Sequence, residues 1–227
     1  SPLHFWLPFC VFLFCQKHTL SHFKELLFTT KYLRWLFNSV LVTTVSVVLG
    51  IFICSMAGFA FAKYSFPLQK ILFWLIIGSI SIPQLTTIIP LFGWMVKLGW
   101  VNTYPVLFLP WAANAYSVFL LRQYIKGIPD ELLESARLDG ANEFQIYYKV
   151  VLPLLKPAIA TTAIFIALAA WNNYMWPLVM ARTESMYTFP VGLASLQSPY
   201  ESNYALIMTG ATLSIIPMLI FFPGSNL

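Results

Sequence analysis

Charged side chains are scarce in this chain. Asp, Glu, Lys and Arg make up 9% of the 227 residues, whereas 59% are hydrophobic. A soluble domain carries roughly 25% charged residues. So little charge cannot cover a surface that faces water, and a soluble globular domain is therefore excluded. Most of the surface is expected to face lipid.

Residues that build metal and catalytic sites are also few. None of the three cysteines, Cys10, Cys15 and Cys54, forms a CxxC pair or has a histidine at ligand spacing. A metal site or disulfide is therefore not expected, and the cysteines are predicted to be apolar filler. No nucleophile–base set supports a membrane enzyme. Without a GxxxxGK[ST] phosphate cradle, the chain is expected to bind no cofactor itself.

The net charge of +5 does not indicate a nucleic-acid partner, because the basic residues are scattered over short loops. Five long stretches without Asp, Glu, Lys or Arg separate these loops. A bilayer core about 30 Å thick needs about 20 apolar residues of helix, and backbone polar groups in lipid must bond within their own segment. The chain is therefore predicted to be an all-α, polytopic membrane helix bundle with spans at residues 35–62, 71–96, 98–121, 158–181 and 204–222.

The N-terminal segment is less regular. Residues 3–15 are apolar but cover only part of a span, and they lack the basic start and the cleavage site of a signal peptide. We expect residues 1–34 to hold an altered or truncated first helix and an external segment. Residues 35–222 are expected to form the transmembrane domain, and residues 223–227 a short tail.

Positive charges in the loops predict the orientation. Lys63 and Lys70 share one short loop, and five more basic residues lie between residues 122 and 156. Two crossings separate these loops, so they lie on the same side, which the positive-inside rule makes cytoplasmic. Four basic residues disagree, because they precede the first long span and would lie outside: Lys17, Lys24, Lys31 and Arg34.

The loop at residues 129–157 concentrates the charge that the rest of the chain avoids, with five of the eight acidic residues. Pro129 and Asp130 are typical of a helix start, where acids complement the helix dipole. Gly140 is expected to end or bend that helix, and a second short amphipathic helix is expected at about residues 142–151. Such a helix-turn-helix element can insert into a groove on a soluble partner.

The spacing within this loop resembles the EAA loop of the permeases of bacterial ABC importers, E-A-A, three residues, G, nine residues, I-x-L-P. Residues 134–136 read Glu-Ser-Ala, Gly140 follows after three residues, and residues 150–153 read Val-Val-Leu-Pro after nine more. The two departures, Ser135 for Ala and Val150 for Ile, are both small.

The resemblance extends over about residues 20–220 and is to the MalG-like carbohydrate branch of these permeases. It includes Trp-Asn-Asn-Tyr-Met-Trp-Pro-Leu at 171–178, and further matches at 37–39, 60–67, 82–83, 89–91, 98–103, 119–123 and 187–193. The resemblance implies a multi-pass subunit of the cell inner membrane that imports sugars. It also implies four kinds of partner: an ABC ATPase dimer that binds ATP-Mg, a second homologous permease, an extracytoplasmic solute-binding protein and the lipid bilayer.

The resemblance also implies which residues of the cytoplasmic loop contact the ATPase. These are Leu133, Glu134, Ser135, Ala136, Asp139, Gly140, Phe144, Leu152 and Pro153. Glu134 is the expected polar contact, and a solvated acid at a helix start is the simpler alternative. Gly140 is expected to supply a bend that a side chain would obstruct.

A substrate path is predicted near the outer end of the fourth span, at Trp171, Asn172 and Asn173. Polar residues within apolar spans are costly and often functional, and amides beside an aromatic face suit sugars. Helix–helix hydrogen bonding by the amides is the competing explanation, and in this family the paired permease can hold most of the sugar contacts.

Two other functions stay open. A secondary transporter or channel would be expected to carry ionisable residues within its spans, and these spans have almost none. An inactive, truncated permease is the other, because both ends depart from the resembled pattern: the first helix is expected to be missing or scrambled before residue 16, and the cytoplasmic tail of the family is not expected after the last span.

Overall fold

The computed structural model describes residues 21–197 and 204–221, and these residues form helices and connecting turns without a strand. The predicted first helix at 3–15, Lys17 and the tail at 223–227 lie outside the described residues. The helices are α1 (Ser21–Thr29), α2 (Tyr32–Lys63), α3 (Gln69–Ser79), α4 (Gln84–Lys97), α5 (Tyr104–Ala112), α6 (Ala115–Lys126), α7 (Asp130–Leu138), α8 (Glu143–Leu154), α9 (Lys156–Trp171), α10 (Met175–Met180), α11 (Phe189–Ser195) and α12 (Tyr204–Phe221).

Helix α2 is the central element of the bundle. Its 32 residues contain no proline and extend about 48 Å at 1.5 Å per residue. It packs against α5, α6 and α9. Small residues permit this close approach: a Cβ on Gly50 would lie 2.7 Å from the Ile166 side chain, and one on Gly58 would lie 3.1 Å from the Arg122 backbone nitrogen. Two α2 glycines therefore let neighbouring helices come close, as in other membrane bundles.

Most of the large apolar side chains of α3 and α4 lie on the surface. Trp74 is 68% exposed and Ile89 is 80% exposed. Phe73 is the buried residue of α3, and the Arg122 guanidinium of α6 lies 3.8 Å from its ring centroid. In water such an apolar surface would promote aggregation, so it is consistent with a chain that faces lipid or another membrane subunit.

Several predicted spans are bent rather than straight. Among the described residues, α2 alone is long and apolar enough to cross a membrane unaided, and the number rises to four if each bent helix pair counts as one span. The predicted span 71–96 is divided into α3 and α4, which meet at 106°. Pro83 stands at the start of α4 and disfavours helical geometry in the residue before it, which accounts for the position of this break.

The predicted spans 98–121 and 158–181 are also interrupted. Helices α5 and α6 meet at 40°, and the Asn114 side chain accepts a hydrogen bond from the Ser117 backbone at the start of α6. Helix α9 ends at Trp171, and α10 begins at Met175. The Asn173 side chain accepts a hydrogen bond of 3.1 Å from the Trp176 backbone nitrogen, so it satisfies a donor in the first turn of α10 and stabilises the interruption.

The two ends of the bundle carry different loops. Residues 129–157, here called the coupling unit, lie beside the C-terminal end of α2, which we call the inner end. Residues 181–188, here called the outer loop, lie beside its N-terminal end. Lys31 forms a 2.7 Å ion pair with Glu184, and Arg34 donates to the Ser185 carbonyl at 3.3 Å. These two basic residues, which disagreed with the loop-charge pattern, are thus held by the outer loop.

A candidate coupling site at the inner end of the bundle

The first helix of the coupling unit is attached to α2 at its start. Pro129 precedes α7 in an extended conformation, and Asp130 and Glu131 occupy the first turn, where the helix dipole favours negative charge. The Lys63 ammonium, whose side chain is 6% exposed, lies 2.6 Å from the Asp130 carboxylate. It also donates to the Ile128 carbonyl. The end of α2 and the beginning of α7 are therefore joined through one lysine.

Leu133 holds α7 against the bundle. Its side chain is 1% exposed and belongs to an apolar cluster, here called the inner core, that consists of Phe59, Ile125, Ile128, Leu133, Ile146, Tyr147, Val151 and Leu155. Leu133 was expected to face a partner, and its burial corrects that expectation. A leucine that is buried in the core of its own chain cannot contact a partner. Leu133 therefore anchors α7, the helix that carries the exposed residues.

Gly140 forms the turn that was expected between the two short helices. Its φ of +82° lies in the left-handed region, which side chains with a Cβ rarely adopt. A Cβ at this position would meet nothing within 4 Å, so the backbone conformation rather than crowding favours glycine. The Gly140 nitrogen donates to the Arg137 carbonyl, and the Ala141 nitrogen donates to the Ala136 carbonyl, each at 3.0 Å. Backbone carbonyls at the end of α7 are thereby satisfied.

The second helix, α8, begins with a capping box. Asn142 accepts from the Gln145 nitrogen, and the Gln145 side chain accepts from the Asn142 nitrogen, each at 2.9 Å. The helix is longer than the predicted 142–151, because a π-helical turn at Tyr147–Val151 leads into a last turn at Leu152–Leu154. It then meets α9 at 81°. Pro153 is exposed, and Leu152 is half-buried against the inner core.

Three side chains meet where α2, α7 and α8 come together. The Arg137 Nε donates to the Glu143 Oε1 at 2.9 Å, and the Tyr64 hydroxyl donates to the Glu143 Oε2. The hydrogen bond from Arg137 and, to a smaller extent, the hydrogen bond from Tyr64 lower the pKa of Glu143. Burial, followed by the hydrogen bond to Glu143, raises the pKa of Tyr64 to about 12. Sequence reasoning missed Tyr64, because nothing in the sequence links it to residue 143.

The surface that the coupling unit leaves open is both acidic and apolar. Glu134, Ser135, Asp139, Gly140 and Phe144 are exposed, and Ala136 is half-buried. Large apolar side chains are exposed among them: Leu132 (45%), Leu138 (89%), Phe144 (62%) and Tyr148 (62%). The acidic residues indicate that this element lies in water, so apolar side chains beside them are typical of a protein-binding surface. Leu132 and Leu138 were missed, although their place between acidic residues was a visible signal.

The predicted substrate residues are only partly brought together. Trp171 is buried and stacks on Phe189, with ring centroids 6.3 Å apart. Trp171 and Asn172 line a cleft of about 700 Å³ between α9, α11 and α12, together with Tyr174, Gln197 and Ser214. Asn173 does not line the cleft, and its side chain bonds to the first turn of α10 instead. The Asn172 amide donates to the Leu168 carbonyl at 3.0 Å, within its own helix.

Most of the chain matches one known protein family. Residues 47–225 match the family described as "Binding-protein-dependent transport system inner membrane component". The chain belongs to this family. It is therefore a permease subunit of a binding-protein-dependent importer, as the EAA-like spacing predicted.

Named relatives of the permease transport several solutes. It is 42% identical to the arabinooligosaccharides transport system permease protein AraQ of Halalkalibacterium halodurans, over 84% of this chain and 68% of the relative. It is 31% identical to the lactose transport system permease protein LacG of Rhizobium radiobacter, over 82% and 68%. It is 34% identical to the sn-glycerol-3-phosphate transport system permease protein UgpE of Brucella suis, over 82% and 67%.

Solved structures agree on the fold. The permease superposes on a chain of a bacterial ABC transporter involved in the import of the acidic polysaccharide alginate with a TM-score of 0.80. The two chains are 26% identical, and the match covers 89% of this chain and 77% of the other. The permease thus has the transmembrane architecture of an ABC importer, and its family is one of transporters rather than of enzymes. Importers of this kind work with ATPase and binding-protein partners.

Proposed function

We propose that this permease imports an oligosaccharide and that an ATPase dimer drives it through the coupling unit. The observation that carries the proposal is the construction of that unit. Lys63 and the inner core hold α7 to the bundle, while Glu134, Leu138 and Phe144 face outward. A partner that binds the outward face can therefore move the bundle, because the attachment of α7 to α2 is short and packed.

The division of labour follows from the residues. ATP-Mg is bound and hydrolysed by the partner, since this chain has no phosphate cradle. Glu134 and Asp139 supply polar contacts to the ATPase, and Leu132, Leu138 and Phe144 supply apolar contacts. A second, homologous permease completes the transmembrane unit, and an extracytoplasmic binding protein delivers the solute to the outer end.

The proposed solute is an oligosaccharide because the AraQ proteins of two species are 42% and 39% identical to the permease, above the 34% and 35% for the UgpE proteins of two Brucella species. The cleft supports this proposal. Trp171 and Phe189 give it an aromatic wall, and Asn172 and Gln197 give it amides. Aromatic faces and amide hydrogen bonds together suit the apolar faces and hydroxyls of a sugar.

A charge reversal and a disruption of the Gly140 turn, both in the coupling unit, test the docking proposal. We expect Glu134→Lys and Gly140→Pro to reduce co-purification of the ATPase with the tagged permease, measured from the membranes of the source organism. Proline is unsuitable at position 140 because its ring fixes φ near −65°, whereas the turn requires +82°. The matched control is Lys126→Glu, which reverses a charge at the exposed end of α6, outside the unit. Unchanged co-purification in both Glu134→Lys and Gly140→Pro would contradict the proposal.

Deletion of the gene at its own locus tests the solute. Uptake of radiolabelled arabinotriose is expected to be lost in the deletion strain and restored by a plasmid copy. Uptake of sn-glycerol 3-phosphate, measured in the same strains, is expected to stay at the parental level. If glycerol 3-phosphate uptake were lost and sugar uptake retained, the oligosaccharide proposal would be wrong and the permease assignment would stand.

A further inference from the structure

Helix α2 connects the two ends of the permease without a break. At its outer end, Asn38 donates to the Ser185 carbonyl at 2.8 Å and to the Tyr187 carbonyl at 2.9 Å. The Trp35 indole donates to the Glu184 carbonyl at 3.0 Å. At least three of the outer-loop residues are thus bonded to α2. Because α2 is a single uninterrupted helix without proline, it connects these two ends directly.

Side chains at the inner end of α2 reach both helices of the coupling unit. Lys63 reaches the start of α7, and Tyr64 reaches Glu143 at the start of α8. Arg137, in the last turn of α7, binds the same carboxylate. Glu143 therefore receives one donor from Tyr64, the residue that follows α2, and another from α7, and it lies one residue after the cap of α8.

The hydrogen-bonded group of Tyr64, Arg137 and Glu143 is partly exposed, so it does not contribute much to stability. The Arg137 and Glu143 side chains are 40% and 51% exposed, and ion pairs in such surroundings add little to stability. The inner core already holds α7 and α8 to the bundle. The three groups nevertheless fix an orientation, because Gly140 between the helices provides a turn with no side chain to restrict it.

We propose that Tyr64, Arg137 and Glu143, here called the positioning cluster, set the angle between α7 and α8 and fix this pair to α2. A displacement of α7 by the ATPase then moves α2 and the outer loop, and is not absorbed at the Gly140 turn. The proposal rests on the proposed function. It assigns the three residues a role in transmission, which is separate from docking, because none of them needs to touch the partner.

The test separates docking from transmission in the purified transporter, reconstituted with its own ATPase and binding protein. Tyr64→Phe removes only the hydroxyl and keeps the edge-to-face ring contact with Phe59, whose centroid lies 5.3 Å away. Glu143→Gln keeps the shape of the side chain and removes its charge. We expect both variants to retain the ATPase in stoichiometric amount and to hydrolyse ATP, while arabinotriose transported per ATP falls about three- to tenfold, as for residues that carry coupling.

Two comparisons decide whether the three residues act as a unit. Tyr124→Phe is the matched control, since it removes a hydroxyl from an exposed tyrosine at the same end of the bundle, and it should transport normally. The double variant Tyr64→Phe/Glu143→Gln should be no worse than the poorer single variant, because both changes break one interaction. Additive losses, or an unchanged ratio of sugar to ATP in both single variants, would overturn the proposal.

The distance between α2 and α7, measured in the permease alone, tests the positioning cluster without the ATPase. In the permease with its native cysteines replaced by serine, spin labels at Met56→Cys on α2 and Glu131→Cys on α7 report the position of α7. Both sites are exposed. Tyr64→Phe and Glu143→Gln should broaden the distance distribution, and Tyr124→Phe should not. If no ATPase bound to the wild-type permease, the proposed function would be refuted. The distance distributions would still show whether the positioning cluster fixes the position of α7. Unbroadened distances would refute the cluster.

Discussion

Replacement of Gly192 by alanine gives a sharp test of how the outer end is packed. A Cβ at this position would lie 2.1 Å from the Trp35 Cδ2 and 2.3 Å from its Cε3, whereas ordinary contacts begin near 3.4 Å. The indole would have to move by about 1 Å or more. Trp35 is 1% exposed and has little room to move, because interiors are close-packed. Its 3.0 Å hydrogen bond to the Glu184 carbonyl would also be strained.

The expected cost can be worked from these two losses. Overpacking of a filled core costs about 1–3 kcal/mol, and a hydrogen bond contributes roughly 1 kcal/mol. The sum, about 2–4 kcal/mol, corresponds to a fall in the midpoint of thermal unfolding on the order of 10 °C for a chain of this size. The midpoint would be measured in detergent by the loss of monodisperse protein on size-exclusion chromatography after heating.

A second glycine provides the control for Gly192→Ala. Gly93 lies inside α4, and a Cβ there would meet nothing within 4 Å. Alanine is favoured over glycine in a helix interior by about 1 kcal/mol. Gly93→Ala is therefore expected to leave the midpoint unchanged or to raise it slightly. The packing argument would be refuted if Gly192→Ala were as stable as the native permease, or if both variants lost stability equally.

Three further outcomes are expected. The phenol of Tyr64 should titrate near pH 12, above the ordinary value of about 10, in the ultraviolet difference spectrum between the native permease and Tyr64→Phe. Because the folded pKa is raised, this group favours the folded state below about pH 10, and its contribution is lost as the pH rises through about 12. Glu143→Gln should move that titration part of the way down. Asn102→Gly should speed tryptic cleavage after the exposed Arg182 several-fold, because the Asn102 side chain accepts three hydrogen bonds from the outer loop; an unchanged rate would contradict this role. Lys63→Met should lower stability by about 1–3 kcal/mol, since it leaves a carbonyl at the start of α7 without its donor; a thermal midpoint equal to that of the native permease would show otherwise.

The sequence could predict those features that depend on composition and local spacing. The scarcity of charge excluded a water-facing surface, and the charge-free stretches located the apolar helices. The family followed from a short spacing pattern, from Glu134 through Gly140 to Pro153, and the Gly140 turn from glycine's tolerance of positive φ. Each of these inferences uses residues that are neighbours along the chain, so no knowledge of the packed structure was needed.

The tertiary structure decided what depends on distant contacts. Leu133 was expected to face a partner and lies in the inner core, because it is buried in one cluster with Phe59 and Ile125 from other helices. The bends within the apolar stretches depend on which side chains bond to the free backbone donors at a helix end, as at Asn173, and an apolar run alone does not reveal them. The meeting of Tyr64 with Glu143 joins residues 79 positions apart. Composition and spacing specify which segments become helices, but the faces that they bury are set by helices packing on one another.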